Sequence, residues 1–165
     1  MMDAITVFFA TKLHVGIVLT GIVFLLILPT HKRIIFVGRV IVALPVAFLL
    51  GRLASLFISN PRPFVVENIQ PLIAHIPDNG FPSEHTLLVA TISALVYTEN
   101  KVLGVVLAIL AVGVGISRVL ANVHHSIDVV GSVGIAMGAV TLASYVVSLV
   151  RIHYGNRLPI LQKNN

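Results

Sequence analysis

A bundle of about five transmembrane helices, with a short interfacial helix at its N-terminus, is the fold this sequence predicts. Three observations predict it. The 165 residues are 57% hydrophobic, with a mean hydropathy of +1.01. The apolar residues are gathered into long runs separated by short polar stretches. The charged residues, 10% of the chain, collect at the ends of those runs. A soluble domain of this size needs no such apolar excess. The runs approach the roughly 20 residues, at about 1.5 Å per residue, that cross a hydrocarbon core of about 30 Å. Residues 1–165 are therefore one membrane-embedded domain, all α.

Each element follows from local sequence. Residues 1–12, mostly apolar and charged only at Asp3 and a closing Lys12, predict a short interfacial helix. Leu13 to Leu28 is the first span. No small-x-small cleavage site precedes Pro29-Thr30-His31, so it is retained rather than removed as a signal peptide. Ile34 to Ile58 is the second span, carrying Arg39, Pro45 and Arg52. Between Asn60 and Pro82, the prolines Pro61, Pro63, Pro71, Pro77 and Pro82 block a continuous helix and predict a structured loop. Ser83 then precedes an apolar run and suits a helix N-cap. Ser83 to Thr98 is the third span, short enough that its first turn sits at the membrane surface. Val102 to Leu120 is the fourth and Ile127 to Val150 the fifth. Gly113, Gly115, Gly131, Gly134 and Gly138 recur along the last two. Gly134 and Gly138 have the small-xxx-small spacing that predicts close helix packing within one protomer.

Composition also excludes classes. With no cysteine there is no disulfide, thiolate metal site or cysteine nucleophile. The net charge of +5 does not indicate nucleic-acid binding, because the cations sit at span ends, where they mark topology and meet lipid headgroups.

Five spans put the loop after the second and the loop after the fourth on the same side as the N-terminus. That face carries Lys12, Arg52, Arg62 and Arg118 against Asp3, Glu67, Asp78, Glu84 and Asp128. The opposite face carries Lys32, Arg33, Arg39, Lys101, Arg151, Arg157 and Lys163 against Glu99. The excess of Lys and Arg places the second face in the cytoplasm. The first face then looks toward the periplasm or cell exterior, across the plasma or inner membrane.

The outward face holds the chemistry. Arg62 stands between Pro61 and Pro63 on a stiff turn at the exit of the second span. Ser83 opens the third span, whose first N–H groups form an anion site, and His85 lies in that first turn. Arg118 ends the fourth span, and its planar fork suits two phosphate oxygens. His124 and Asp128 are four apart and share one face if the fifth helix starts near His124. The carboxylate can then accept from one imidazole nitrogen and leave the other as nucleophile or base. A metal held by His124, His125, Asp128 and His85 is disfavoured by the two arginines, which would repel a cation. His125 points off the shared face and gets no role. His14, His31, His75 and His153 are assigned structural places at span ends or in loops. Arg39 is assigned to snorkel toward headgroups.

These segments resemble the type 2 phosphatidic acid phosphatase superfamily. Its signature is lysine, six residues and Arg-Pro; then Pro-Ser-Gly-His; then Ser-Arg, five residues, His, three residues, Asp. This chain supplies Arg62-Pro63, Pro82-Ser83-Glu84-His85, and Ser117-Arg118 with His124 and Asp128, in that order within roughly residues 50–130. Two positions depart. Ser55 stands where the family has lysine, with Arg52 one turn earlier on the same face, either as its replacement phosphate contact or snorkelling to headgroups. Glu84 stands where the family has glycine. That acidic residue, within Asn79-Gly80-Phe81-Pro82-Ser83-Glu84-His85-Thr86, resembles the bacterial branch that dephosphorylates undecaprenyl diphosphate.

The resemblance implies a lipid phosphatase with His124 as nucleophile, Asp128 orienting it and His85 exchanging the proton. It implies that Arg62, Arg118, Ser83 and Arg52 bind phosphate, with no cofactor and no metal. The partners it implies are a membrane-embedded lipid diphosphate and the bilayer. A phosphatidic acid or phosphatidylglycerol phosphate phosphatase is the alternative of the same chemistry. A non-catalytic headgroup binder or transporter subunit is the alternative of another class.

Overall fold

The computed structural model describes residues 2–154. Arg157 and Lys163, counted above for sidedness, lie outside them. The described elements are α1 (Met2–Thr11), α2 (Leu13–Ile27), α3 (Thr30–Phe57), α4 (Pro63–Val66), α5 (Glu84–Tyr97), α6 (Lys101–Leu120) and α7 (Ser126–Tyr154). The five apolar runs read as spans form α2, α3, α5, α6 and α7, and the all-α membrane bundle is borne out. Met2–Ile27, Thr30–Phe57, Lys101–Leu120 and Ser126–His153 are each long and apolar enough to cross a membrane. Helix α5 has 14 residues, or about 21 Å at 1.5 Å per residue.

Helix α5 is the central post, packed by α6, α7, α3 and α2. The core on it joins Val89, Leu95 and Val96 of α5 to Ile17 and Phe24 of α2, Phe36 of α3, and Leu107 and Val114 of α6. Phe24 and Phe36 meet edge to face at 5.6 Å, a favoured aromatic geometry. Pro45 lies inside α3 without ending it. Helix α1 joins α2 through Lys12 alone and packs on α6, with Phe9 over Gly113 and Ala10 fully buried.

Two expectations are corrected here. The close helix approach comes from Gly115, where a Cβ would meet Val129 of α7 at 2.6 Å, whereas Gly134 and Gly138 have no neighbour within 4 Å of such a Cβ. Spacing alone does not say which face of α7 a small-xxx-small pair occupies. Arg39 does not snorkel. Its Nη1 donates to Glu99 and to Thr98 Oγ1, tying α3 to the end of α5. Both charges are largely buried, so losing either partner would leave the other uncompensated.

Candidate active site

A polar pocket of about 360 Å³ opens where α3 ends, α5 begins and α6 ends. Arg52, Arg62, His85, Arg118 and His124 line it together. The three sequence segments therefore converge. Asp128 and Ser83 are fully buried, held together behind the pocket by the bond from Ser83 N to the Asp128 carbonyl at 3.3 Å.

His124 sits in the turn before α7, not on the helix. Its Nδ1 lies 2.9 Å from the Gly80 carbonyl and 3.4 Å from Asp128 Oδ2. Both neighbours only accept, so Nδ1 carries the hydrogen and Nε2 keeps its lone pair. Arg62 Nη1 approaches that Nε2 at 3.2 Å. Burial lowers the His124 pKa, and Arg62 and Arg118 lower it further, against the opposing bond to Asp128. The predicted His124–Asp128 pairing is thus present but secondary, and Gly80 is the nearer acceptor. Asp128 also accepts from Asn60 Nδ2 at 2.7 Å and from the His125 backbone N–H at 2.8 Å. Those bonds satisfy a carboxylate that has no contact with solvent.

Arg62 is pinned on three sides. Besides His124, its Nε donates to Asp78 Oδ1 at 2.6 Å and its Nη1 to the Val123 carbonyl at 2.8 Å. Arg118 is different. It is 3% exposed, and Nη1 makes one long bond, 3.4 Å, to the Ala10 carbonyl. Its Nε and Nη2 are buried and find no acceptor among the described residues. A desolvated guanidinium with two idle donors is costly unless an anion completes it.

Arg52 stands at the rim, 63% exposed in its side chain, 3.3 Å from Glu84 and stacked over Phe48. Ser83 occupies the N-cap position of α5 but makes no side-chain cap bond, which corrects the capping expectation. Its hydroxyl instead accepts from Thr86 Oγ1 at 3.0 Å.

Several residues with no predicted role build the site. Asn79 Oδ1 accepts from the Asn60 and Phe81 backbone N–H groups, and its Nδ2 donates to the Ser55 and Ile58 carbonyls. It therefore staples the loop to the end of α3. His125, set aside above, holds Asp128 through its backbone and reaches the Pro61 carbonyl at 3.1 Å. His75 stacks edge to face on His124 at 6.2 Å, and His14 does so on His85 at 4.6 Å. Both had been assigned structural places. Burial, then Arg62, lowers the His75 pKa. At Asp78 burial raises the pKa, but the bond to Arg62 and its charge outweigh that and hold the carboxyl low. Asparagine and glycine were the available signal, because a polar run between spans must satisfy its own backbone. No group of three or more His, Asp or Glu among the described residues is placed to hold a metal ion.

Comparison with known proteins places this geometry. The chain is 35% identical over 130 residues to "Bacitracin transport permease protein BcrC" of Bacillus licheniformis, covering 78% of this chain and 64% of that one. It is 32% identical over 108 residues to "Undecaprenyl-diphosphatase BcrC" of Bacillus subtilis (strain 168), covering 66% and 54%. The chain thus spans somewhat over half the length of these relatives. Its fold matches the crystal structure of Aquifex aeolicus LpxE with a TM-score of 0.70 and 23% identity, over 86% of this chain and 84% of that one. The family model for the PAP2 superfamily matches residues 36–151, which contain every site residue assigned from the sequence, and the chain belongs to that superfamily.

Proposed function

We propose that this protein is a membrane lipid phosphatase that removes the terminal phosphate of undecaprenyl diphosphate through a phosphohistidine. The buried, unpartnered donors of Arg118, facing a pocket shared with Arg62 and His124, carry the proposal. They suit a phosphoryl group whose charge grows in the transition state. The name of the B. subtilis relative supports the choice of lipid.

Nε2 of His124 attacks the terminal phosphorus in line. The bond from phosphorus to the bridging oxygen breaks, and His85 gives its proton to the departing lipid phosphate. His85, now neutral, takes a proton from water as that water attacks the phosphohistidine. The P–N bond breaks and inorganic phosphate leaves. Asp128 and the Gly80 carbonyl hold Nδ1–H throughout. Arg62 and Arg118 take the non-bridging oxygens, Ser83 and the α5 N-terminus lie behind them, and Arg52 meets the phosphate that stays on the lipid. The two guanidiniums supply the electrostatic stabilisation. The site faces the periplasm or cell exterior, as the charge asymmetry of the loops argues.

Phosphate release from undecaprenyl diphosphate by purified protein in EDTA, beside His124→Ala, tests the proposal. Release by the wild type alone supports it. Equal release by the variant overturns the nucleophile assignment. Faster turnover of phosphatidic acid or phosphatidylglycerol phosphate overturns the lipid. Binding of the lipid diphosphate without turnover overturns the enzyme.

A further inference from the structure

The phosphate pocket has two layers. Its floor holds Arg62, Arg118 and His124, each at most 5% exposed. Its mouth holds Arg52 of α3 and Glu84 of α5, whose side chains are 63% and 69% exposed and whose charges meet at 3.3 Å. The reaction steps proposed above use Arg52 but give Glu84 no part. An ion pair so open to water contributes little to folding, so stability does not explain a carboxylate at the entrance of an anion site. Local structure holds Glu84 there. It lies in the first turn of α5, between the fully buried Ser83 and the pocket residue His85, where the helix dipole favours negative charge. Phe48, one turn before Arg52 on α3, supports the other partner with its ring centroid 5.2 Å from the guanidinium. Among the described residues Arg52 is the one cation that α3 brings to the pocket, and the Ser55 hydroxyl one turn on is engaged with the Arg52 carbonyl at 2.7 Å.

We propose that Glu84 sets substrate selectivity: by holding Arg52 at the mouth, it admits a lipid diphosphate and rejects the lipid monophosphate that the reaction leaves. The inference rests on the lipid-phosphatase proposal above. A diphosphate that seats its terminal phosphate on the floor brings its second phosphate to the mouth. That phosphate takes Arg52 from Glu84, exchanging a water-exposed ion pair for a charge-assisted bond, and the freed carboxylate turns to solvent. A monophosphate that reaches the floor brings its first isoprene unit to the mouth instead. Hydrocarbon then strips water from both charges and offers neither a hydrogen bond. The carboxylate also keeps Arg52 from turning inward to the single phosphate. The pair thus discriminates by the number of phosphates, and the reaction stops after one cleavage.

The test is the ratio of kcat/KM for phosphate release from undecaprenyl diphosphate to that from undecaprenyl phosphate, measured on the full-length protein. Glu84→Gln and Glu84→Gly should lower this ratio by about tenfold, the worth of one charge-assisted contact, chiefly through faster cleavage of the monophosphate. Inhibition by orthovanadate, which needs only the floor, should stay as in the wild type. Arg52→Gln should lower the ratio by slowing the diphosphate, and adding Glu84→Gln to it should move the ratio less than Glu84→Gln does alone. A merely structural Glu84 would shift Tm and slow both lipids together. An unchanged ratio in the Glu84 variants overturns the proposal, as does an equal effect of Glu84→Gln with and without Arg52. Failure of the phosphatase assignment is distinct, because it appears as no phosphate release by the wild type from either lipid. The ratio of Kd values for the two lipids in the His124→Ala background reads the same discrimination without turnover. It should move toward the monophosphate by about tenfold with Glu84→Gln, and no change there also overturns the proposal.

Discussion

Nδ1 of His124 lies 2.9 Å from the carbonyl oxygen of Gly80, nearer than the 3.4 Å to Asp128. The backbone of the proline-rich loop therefore sets the imidazole tautomer, and the carboxylate supports it from behind. Gly80 reaches that position because a Cβ there would stand 3.0 Å from both the Asn60 carbonyl and Asp128 Oδ2. A side chain there would push the Asn60 carbonyl or the Asp128 carboxylate aside by a few tenths of an ångström, so glycine suits this close approach.

Asp128→Asn should consequently cost less than the roughly 10⁴-fold in kcat lost where a carboxylate alone fixes the tautomer. The Gly80 carbonyl still accepts Nδ1–H in that variant. Steady-state kinetics on undecaprenyl diphosphate check this, and a loss as large as that of His124→Ala would assign tautomer control to Asp128.

Arg118→Met should trade activity for stability. It removes a buried cation with two unpartnered donors, and a desolvated charge left without partners costs stability. Thermal unfolding in detergent should shift upward, while kcat falls by roughly 10²–10³-fold. A lowered Tm would mean that the protein itself satisfies the guanidinium.

The acid limb of kcat/KM should break below pH 6.5, the ordinary imidazole value, because burial and then the two arginines lower the His124 pKa. The neutral nucleophile therefore persists into mild acid. Arg62→Gln removes one lowering charge and should move the break upward. Stability follows the same sign. Below pH 6.5 the unfolded imidazole takes a proton that the folded one refuses, so stability falls with pH until the folded pKa is reached. A break above pH 6.5 in the wild type would contradict the burial of His124.

His14 should act on catalysis through His85. Their rings meet at 4.6 Å, edge to face, and the His85 ring makes no hydrogen bond among the described residues. His14→Ala should lower kcat by about 2–10-fold, the worth of one aromatic pair near 0.5–1.5 kcal/mol, with KM unchanged. His14→Phe should restore it. Failure of Phe to rescue, with a shifted pH profile, would instead give His14 a part in moving the proton.

The sequence by itself determined the elements and which charged and imidazole groups would meet in one pocket. Long apolar runs have one low-energy solution in a bilayer, so α2, α3, α6 and α7 fall close to their predicted bounds. Arg62, His85, Arg118 and His124 were legible because charge and imidazole at span ends are rare, and because their spacing matches a known signature. Only the tertiary structure decided what supports them. Asn60, Asn79, Gly80, His75 and His14 act across separations of tens of residues, through hydrogen bonds and ring contacts that carry no local period. The partner of Arg39 and the face of α7 that Gly134 and Gly138 occupy depend on how helices rotate against one another. Packing settles that rotation, because periodicity fixes which residues share a stripe and only the neighbouring helices fix where the stripe points.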